Sequence, residues 1–375
     1  MIPICEPYLS KKAKKYLNNC FDNNWISSQG SYIHKFEKAL AKYHGLKYCI
    51  VTSSCTAALH MALKSININL GDEVICPDLT FIAPANMIIL SGAKLKLVDV
   101  NFKTLAIDHK QIIKKITKKT KAIMVVHQFG HSADMDPIIK IARKYNLKII
   151  EDNAESIGGK YKGKRLGTLG DVATLSFYAN KIITCGEGGA VITNSKKIAE
   201  KCYLLRDHGW LKTSDPIKRY IHLELGYNYR MTNMQAAIGY SQMEIINEIL
   251  KKREKFLSIY TKYLSKIDEI KMRSYENWCS PVNWLVTIHI LKKNLRNKLL
   301  KFLLKSGIDA RVMINPIHQA HHFKNKFDKK DFKNSINTSK NSIHLPSSTN
   351  LNKYKIIFIC NKIKKFFNSY YKNKN

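Results

Sequence analysis

Between residues 46 and 205, short runs rich in aliphatic and β-branched residues alternate with stretches of helical periodicity. That alternation limits the fold more than any other feature of the chain. KYCIVT (47–52) precedes TAALHMALKSI, and DEVICP (72–77) precedes FIAPANMIIL. KLKLVDV, KAIMVV, KIIED, ATLSFY and AVITN follow, most of them separated by helix-like segments. Strands this apolar, alternating with helices, predict a mainly parallel α/β sheet covered on both faces. From Thr232 the pattern changes: TNMQAAIGYSQMEIINEILKKREKFLSIYTKYLSKI has apolar residues at helical spacing and no Gly or Pro beyond Gly239. It predicts a long connecting helix with at most one break. Beyond about 270 comes a smaller α/β unit: the strand WLVTIHIL, the helix RNKLLKFLLKS, the strand IDARVM and a last helix near 352–370. The Lys/Asn-rich segment 319–343 is expected to be a surface loop. The expected division is a large domain over 1–248, including the N-terminal segment, and a small C-terminal domain over 249–375.

A chain of 375 residues with 45% hydrophobic content can bury a large core, so disordered and fibrous classes are excluded. Its charge is unusual: 63 Lys+Arg against 28 Asp+Glu, a formal +35, with only nine arginines among the basic residues. The lysines are spread along the whole chain. A nucleic-acid reader would gather them into a stripe and use more Arg, so no nucleic-acid partner is expected. The abundance of Lys, Asn and Ile suits an AT-biased coding sequence; real attraction to an anionic partner is the other reading of the charge. Nine cysteines, an odd number with no CxxC pair, read as buried free thiols of a reducing compartment rather than disulfides or a zinc site. Met1 leads directly into IPICEPYLSKK, without the pattern of a signal peptide. No apolar run approaches the ~18–20 residues of a membrane span. The expectation is a cytoplasmic protein with no membrane partner.

The chemistry centres on SFYANK (176–181), followed by IITCGEGG. Lys181 follows a buried strand and precedes a Gly-rich turn. Alone it would read as one more surface lysine, but KIIEDNAES places Asp152 at the C-terminal end of an apolar strand, where α/β sheets hold their ligands. Alone, Asp152 would be an ordinary helix cap. A lysine able to form a Schiff base, with a carboxylate to keep a pyridine nitrogen protonated, points to pyridoxal 5'-phosphate. VTSSCTAALH (51–60) runs from strand through small polar residues into a helix, a start that favours phosphate. Phe81, in PDLTFIAPAN, offers a flat face for a cofactor ring or simply fills core. GEGG (186–189) lacks the Walker Lys-Ser/Thr and reads as a tight turn locking Lys181. His318, His321 and His322 have no acid or cysteine at matching spacing, so no metal is expected. His318 is expected to line the substrate entrance, with His321 and His322 exposed.

Together these segments resemble the DegT/StrS group of nucleotide-sugar aminotransferases. The resemblance is collinear from Ile2 to about Leu351: WISSQGSYIHKFE, SSCTAALHMAL, GDEVICPDLTFIAPAN, HQFGHSADMD, EDNAES, SFYANKIITCGEGG, RDHG, GYNYRMTNMQAAIG, and the weaker INPIH and LPSS. It implies the aspartate-aminotransferase-like (type I) fold, a homodimer with a shared active site, and glutamate as amino donor. The implied substrate is a nucleotide-linked keto sugar. WISSQGSYI and GYNYRMTN are most similar to members that aminate GDP-4-keto-6-deoxymannose, with UDP- or dTDP-linked sugars as the alternative. Lys181 matches the lysine that carries the cofactor and moves the proton, which calls for burial and neighbouring positive charge. Asp152 matches the aspartate on the ring nitrogen, Glu155 a Gln/Glu against the ring, and Phe81 the stacked aromatic. Thr56 with its neighbour Cys55, and Ser176, match phosphate ligands. Asn228 matches a phosphate contact reaching in from the second subunit. Trp25, Ser27, Arg230 and His318 are the substrate-side candidates, Arg230 facing either the interface or the substrate diphosphate. Dehydratases on this fold replace the lysine by His; this chain keeps Lys181. Where the family often has Asn-Gly, this chain has Ser54-Cys55, which preserves backbone donation if the local φ is negative.

Overall fold

The computed structural model describes residues 1–211, 213–218 and 220–372. Two helices, α1 (Lys12–Asp22) and α2 (Ser31–His44), lead into the first strand. The strands that follow are β1 (Tyr48–Thr52), β2 (Glu73–Pro77), β3 (Lys94–Val98), β4 (Thr120–Val126), β5 (Lys148–Asp152), β6 (Lys160–Tyr161), β7 (Lys164–Arg165), β8 (Val172–Ser176) and β9 (Gly189–Thr193). Seven of these form one sheet in the order β1-β9-β8-β5-β4-β2-β3. Every neighbouring pair is parallel except the two that involve β9, which runs against both β1 and β8. The main sheet is therefore the mainly parallel one that the apolar runs predict.

Alternate residues along each strand supply its two covers. Val74, Cys76, Met124 and Ile150 meet α3 (Cys55–Ser65), α4 (Ala83–Leu90) and α7 (Lys196–Arg206) on one face. Ile75, Ile123, Val125 and Ile149 meet α5 (His109–Lys115) and α6 (Met135–Lys144) on the other. On that same face Ala173, Leu175, Ala190 and Ile192 pack with Phe36 and Leu40 of α2. Ala236 and Ala237 of α8 (Asn233–Met243) complete that layer. Because the connections of a parallel sheet leave from one edge, the ends of β1, β2, β4, β5 and β8 all deliver their loops to the same side of the molecule.

The long helix breaks once, as its sequence predicts: α8 gives way at Glu244 and Ile245 to α9 (Ile246–Leu264). A second sheet contains β10 (Ile270–Met272), β12 (Val286–Ile290), β13 (Arg311–Val312) and β14 (Ser342–Leu345), all antiparallel in the order β10-β12-β14-β13. Between the first two, β11 (Cys279–Ser280) joins β6 and β7 in a separate three-stranded sheet. Helices α9, α10 (Arg296–Lys305) and α12 (Lys353–Lys372) close a core of Tyr260, Leu264, Ile288, Leu299, Ile343 and Ile363. Ile2 bridges Ile308, so the N-terminus is laced into this second core.

The segment 319–343 is not a loop. It holds α11 (Lys333–Asn341), short 3₁₀ turns, the buried Phe323 and Phe332, and the start of β14. The Asp99 carboxylate accepts the N–H of Asn334 at 2.8 Å and both the N–H and hydroxyl of Ser335 at 2.8 and 2.6 Å. A helix seated through its N-terminus on a carboxylate buries small hydroxyls, so it shows no apolar stripe for a sequence pattern to detect. Among the described residues no helix is long and apolar enough to cross a membrane.

Candidate active site

β5 ends on Asp152, which is 4% exposed and accepts the N–H of Ala154 at 3.0 Å. Burial pushes its carboxyl above the usual range, against the pull of the Ala154 N–H and the Lys181 ammonium. Lys181 lies in the loop that returns from β8 to β9, its N–H bonded to Tyr178 O at 2.9 Å. Its Nζ stands 3.7 Å from Glu155 Oε1 and 3.7 Å from the centre of the Trp284 ring. The sequence called for neighbouring positive charge; the structure instead puts a carboxylate and an aromatic face against the amine. Trp284 fixes the same loop from the small sheet by donating Nε1–H to Asn180 O at 2.7 Å. GEGG closes the loop as expected. Phe177 N–H meets Gly188 O at 2.9 Å, and a Cβ on Gly188 would stand 2.7 Å from Met231 Cε.

Glu155 is held by a second element. Its Oε2 accepts the N–H of Phe129 at 2.7 Å, in the turn that leaves β4. Phe129 adopts φ +50 although it is buried and not glycine. Gly130 beside it, at φ +82, allows no side chain, since a Cβ would lie 1.7 Å from Val282 O. Arg273 donates to the carbonyls of Gln128 and Phe129 at 3.0 and 3.3 Å. Below the turn, His127 Nδ1 accepts Ala133 N–H at 3.2 Å, so the proton on Nε2 goes to Glu151 Oε2 at 2.8 Å. Glu151 also takes three backbone N–H groups, from Gly167, Leu169 and Gly170. Burial alone would raise this carboxyl, but His127 and the N–H groups bring it below its ordinary value. The pair is structural support for the end of β5.

β1 delivers the turn that opens α3, the phosphate candidate of the sequence. Ser54 caps α3 in an extended conformation (φ −159), its hydroxyl accepting Ala57 N–H at 3.1 Å. Cys55 and Thr56 open the helix, and Cys55 is not among the residues of positive φ. The change from Asn-Gly is therefore accommodated, and the first-turn N–H groups remain available to an anion. Cys55 packs beside Asp152, where burial pushes its thiol up. The start of β9 lies so close that a Cβ on Gly189 would be 2.5 Å from Cys55 N. Thr56 is exposed, Phe81 is 61% exposed at the end of β2, and Ser176 is buried at the end of β8. Tyr178, whose carbonyl accepts the Lys181 N–H, is 48% exposed.

The substrate-side candidates separate into two groups. Trp25 and Ser27 are exposed, and their loop is tied to α8 by Asn233. Asn233 donates its N–H to Ser27 O at 2.6 Å and its amide to Trp25 O at 2.7 Å, and its Oδ1 accepts Tyr32 N–H at 3.0 Å. Arg230 pairs with Asp207, whose backbone bridges the exposed Asn228. His318 does not line an entrance in this chain. It is 4% exposed, its Nδ1 is 2.8 Å from Asp78 Oδ2, and its ring stacks on Phe332. His321 and His322 are exposed, and all nine cysteines are free thiols. Among the described residues no cluster of His, Cys, Asp or Glu is placed to hold a metal ion.

The arrangement fits pyridoxal 5'-phosphate: a buried carboxylate that a protonated ring nitrogen would keep ionised, an amine beside it, an open aromatic face, and a helix start for the phosphate. Fold and site together define a type I aminotransferase. A model of the DegT/DnrJ/EryC1/StrS aminotransferase family matches residues 7–364. The chain belongs to that family and is a sugar aminotransferase with pyridoxal 5'-phosphate as cofactor. It is 38% identical over 366 residues to a GDP-perosamine synthase of Escherichia coli O157:H7, covering 98% of each chain. It is 42% identical over 320 residues to a GDP-perosamine synthase of Caulobacter vibrioides, covering 84% of this chain and 85% of that one. The solved structure of Helicobacter pylori PseC, an aminotransferase involved in pseudoaminic acid biosynthesis, superposes with a TM-score of 0.92 at 29% identity, covering 98% of this chain and 99% of that one.

Sequence reasoning missed Trp284, the Phe129 turn and Arg273. Trp284 lies in an apolar run that reads as strand core, and Arg273 carries no motif. HQFG was visible as a turn, but its use was not.

Proposed function

We propose that the chain transfers the amino group of glutamate to the C4 ketone of GDP-4-keto-6-deoxymannose. The products are GDP-perosamine for surface polysaccharide and 2-oxoglutarate. The observation that carries this reading is the near full-length likeness to GDP-perosamine synthases at 38% and 42% identity, joined to the Lys181–Asp152–Glu155 cluster. When bound, the cofactor supplies an electron-accepting ring. Lys181 Nζ would hold it covalently at rest and, when free, would carry a proton to and from the reacting carbon. Asp152 holds the proton on the ring nitrogen, and Glu155 keeps the amine and the Phe129 turn in register. Phe81 covers the ring, while Thr56, Cys55 and Ser176 bind the phosphate. Asn228 from a second copy completes that shell, making the working unit a cytoplasmic homodimer. Trp25, Ser27 and Arg230 face the sugar nucleotide. The division into domains 1–248 and 249–375 belongs to the same reading, supported by the separate core of α9, α10 and α12.

The test compares kcat/KM for GDP-, UDP- and dTDP-linked 4-keto-6-deoxy sugars with glutamate. Preference for the GDP-mannose-derived ketone is the expected result; a clear preference for a UDP or dTDP sugar sinks perosamine and leaves the aminotransferase standing. Borohydride should trap the cofactor on the native chain and leave Lys181→Ala unlabelled.

A further inference from the structure

The small sheet meets the turn after β3 across a cavity of about 50 Å³. That is room for a few water molecules or one small ion. Its lining includes Lys103, Lys271, Arg273, His289, Thr338 and Ser342, and no Asp or Glu. Lys103 shares Glu276, 3.8 Å away. Arg273 has no such partner: its donors reach only carbonyls, those of Gln128, Phe129 and Thr104. Its Nε–H is buried and unpaired. Among the described residues no carboxylate stands within ion-pair distance of it. The Thr338 hydroxyl, in a residue 2% exposed that lines the same cavity, also has no partner.

Lys103, Lys271 and Arg273 give the cavity a cationic lining, Glu155 acts on the Arg273 guanidinium only through its field, and the unpaired Arg273 Nε–H and Thr338 hydroxyl are two buried groups that an anion would satisfy. We propose that this cavity is a binding site for a small tetrahedral oxyanion, a phosphate or sulfate group. Its oxygens accept from Arg273 Nε and Thr338 Oγ1, with Lys271 supplying further charge. The site lies behind the Phe129 turn, so the anion is distinct from the cofactor's phosphate and ties the small sheet to the turn that holds Glu155.

The experiment uses the cofactor-loaded enzyme without sugar nucleotide. Inorganic phosphate, sulfate and acetate are titrated at matched ionic strength, by calorimetry and by thermal unfolding. Arg273 variants can misfold because this residue also braces the Phe129 turn, so Thr338→Val and Lys271→Met serve as the probes. Phosphate or sulfate should bind saturably and raise the melting temperature of the native chain, and acetate should do neither. Both variants should bind about tenfold more weakly or worse, the effect of losing one charge-assisted contact. Phosphate and sulfate affinity unchanged in both variants would overturn the site, as would stabilisation that follows ionic strength alone. Acetate binding as well as phosphate would overturn the tetrahedral assignment.

Discussion

Replacing Glu155 by alanine removes two things at once: the acceptor of Phe129 N–H at 2.7 Å and the carboxylate 3.7 Å from Lys181 Nζ. Glu155→Gln removes only the second, because an amide oxygen can still accept the N–H. A hydrogen bond to a charged acceptor contributes about 1.5–3 kcal/mol, and stranding a buried donor costs about as much. Phe129 sits at φ +50, a conformation that costs a non-glycine residue about 1–2 kcal/mol. Without its acceptor, the turn keeps only the bonds from Arg273 and Val282 against that strain. Glu155→Ala should therefore lose about 2–3 kcal/mol, and Glu155→Gln about 1 kcal/mol or less. The pH dependence has a definite sign. Burial raises the Glu155 carboxyl, outweighing the pull of Lys181 and the Phe129 N–H. A carboxyl with a raised folded pKa contributes stability that is complete below the unfolded pKa and lost as pH rises through the folded one. Glutamine does not titrate, and the similarly raised Asp152 is present in both proteins. The advantage of the native chain over Glu155→Gln should thus shrink as pH rises above the ordinary glutamate value of about 4.3. Urea unfolding of the apoprotein at fixed concentration measures both effects. An alanine variant within about 0.5 kcal/mol of the native chain, or an advantage that grows with pH, would refute the reasoning.

Gly189→Ala puts a Cβ 2.5 Å from Cys55 N and must displace the turn proposed to bind phosphate; cofactor affinity should fall by about tenfold or more in equilibrium dialysis. Asn233→Ala removes the side-chain bonds to Trp25 O and Tyr32 N–H and keeps only the backbone bond to Ser27 O, so the loop can reorganise and KM for the sugar nucleotide should rise by more than kcat falls. His44, His131 and His344 are pushed down by burial to about 4, about 3 and about 3. The unfolded chain then binds more protons than the folded one below the ordinary histidine value of about 6.5, so stability should fall as pH drops through that window. His131→Gln should flatten that fall in urea titrations.

The strands of the main sheet were legible because each is a short apolar run between helical patterns, and burial on both faces requires that composition. The lysine and the aspartate were legible because each follows such a run directly. What escaped depends on conformation or on distant partners. Nothing in HQFG says that Phe129 will take a positive φ, since that is imposed by Glu155 and Val282 from elsewhere in the chain. Trp284 reads as one more core residue of β12's approach until its indole is found against Lys181. α11 reads as loop because its contacts are hydroxyls on Asp99. The expectation that His318 lines an entrance fails because pairing with Asp78, a partner 240 residues away, draws it inside.

The direction of β9 explains why the lysine and the phosphate turn can share one site. An apolar run does not encode strand direction, and AVITN looks the same either way. A parallel successor to β8 would need a crossover of a dozen or more residues, usually with a helix, carrying the chain away from the C-terminal edge. Residues 177–188 contain no helix and return at once, so Lys181 stays above the end of β5, within reach of Glu155. The same reversal starts β9 at that edge, alongside the end of β1, where Thr52 pairs with Gly189. Any side chain at Gly189 would meet the backbone of Ser54 and Cys55. The single antiparallel strand and its first glycine therefore do one job together: they bring the end of the lysine loop against the start of α3, the helix start proposed to receive the phosphate.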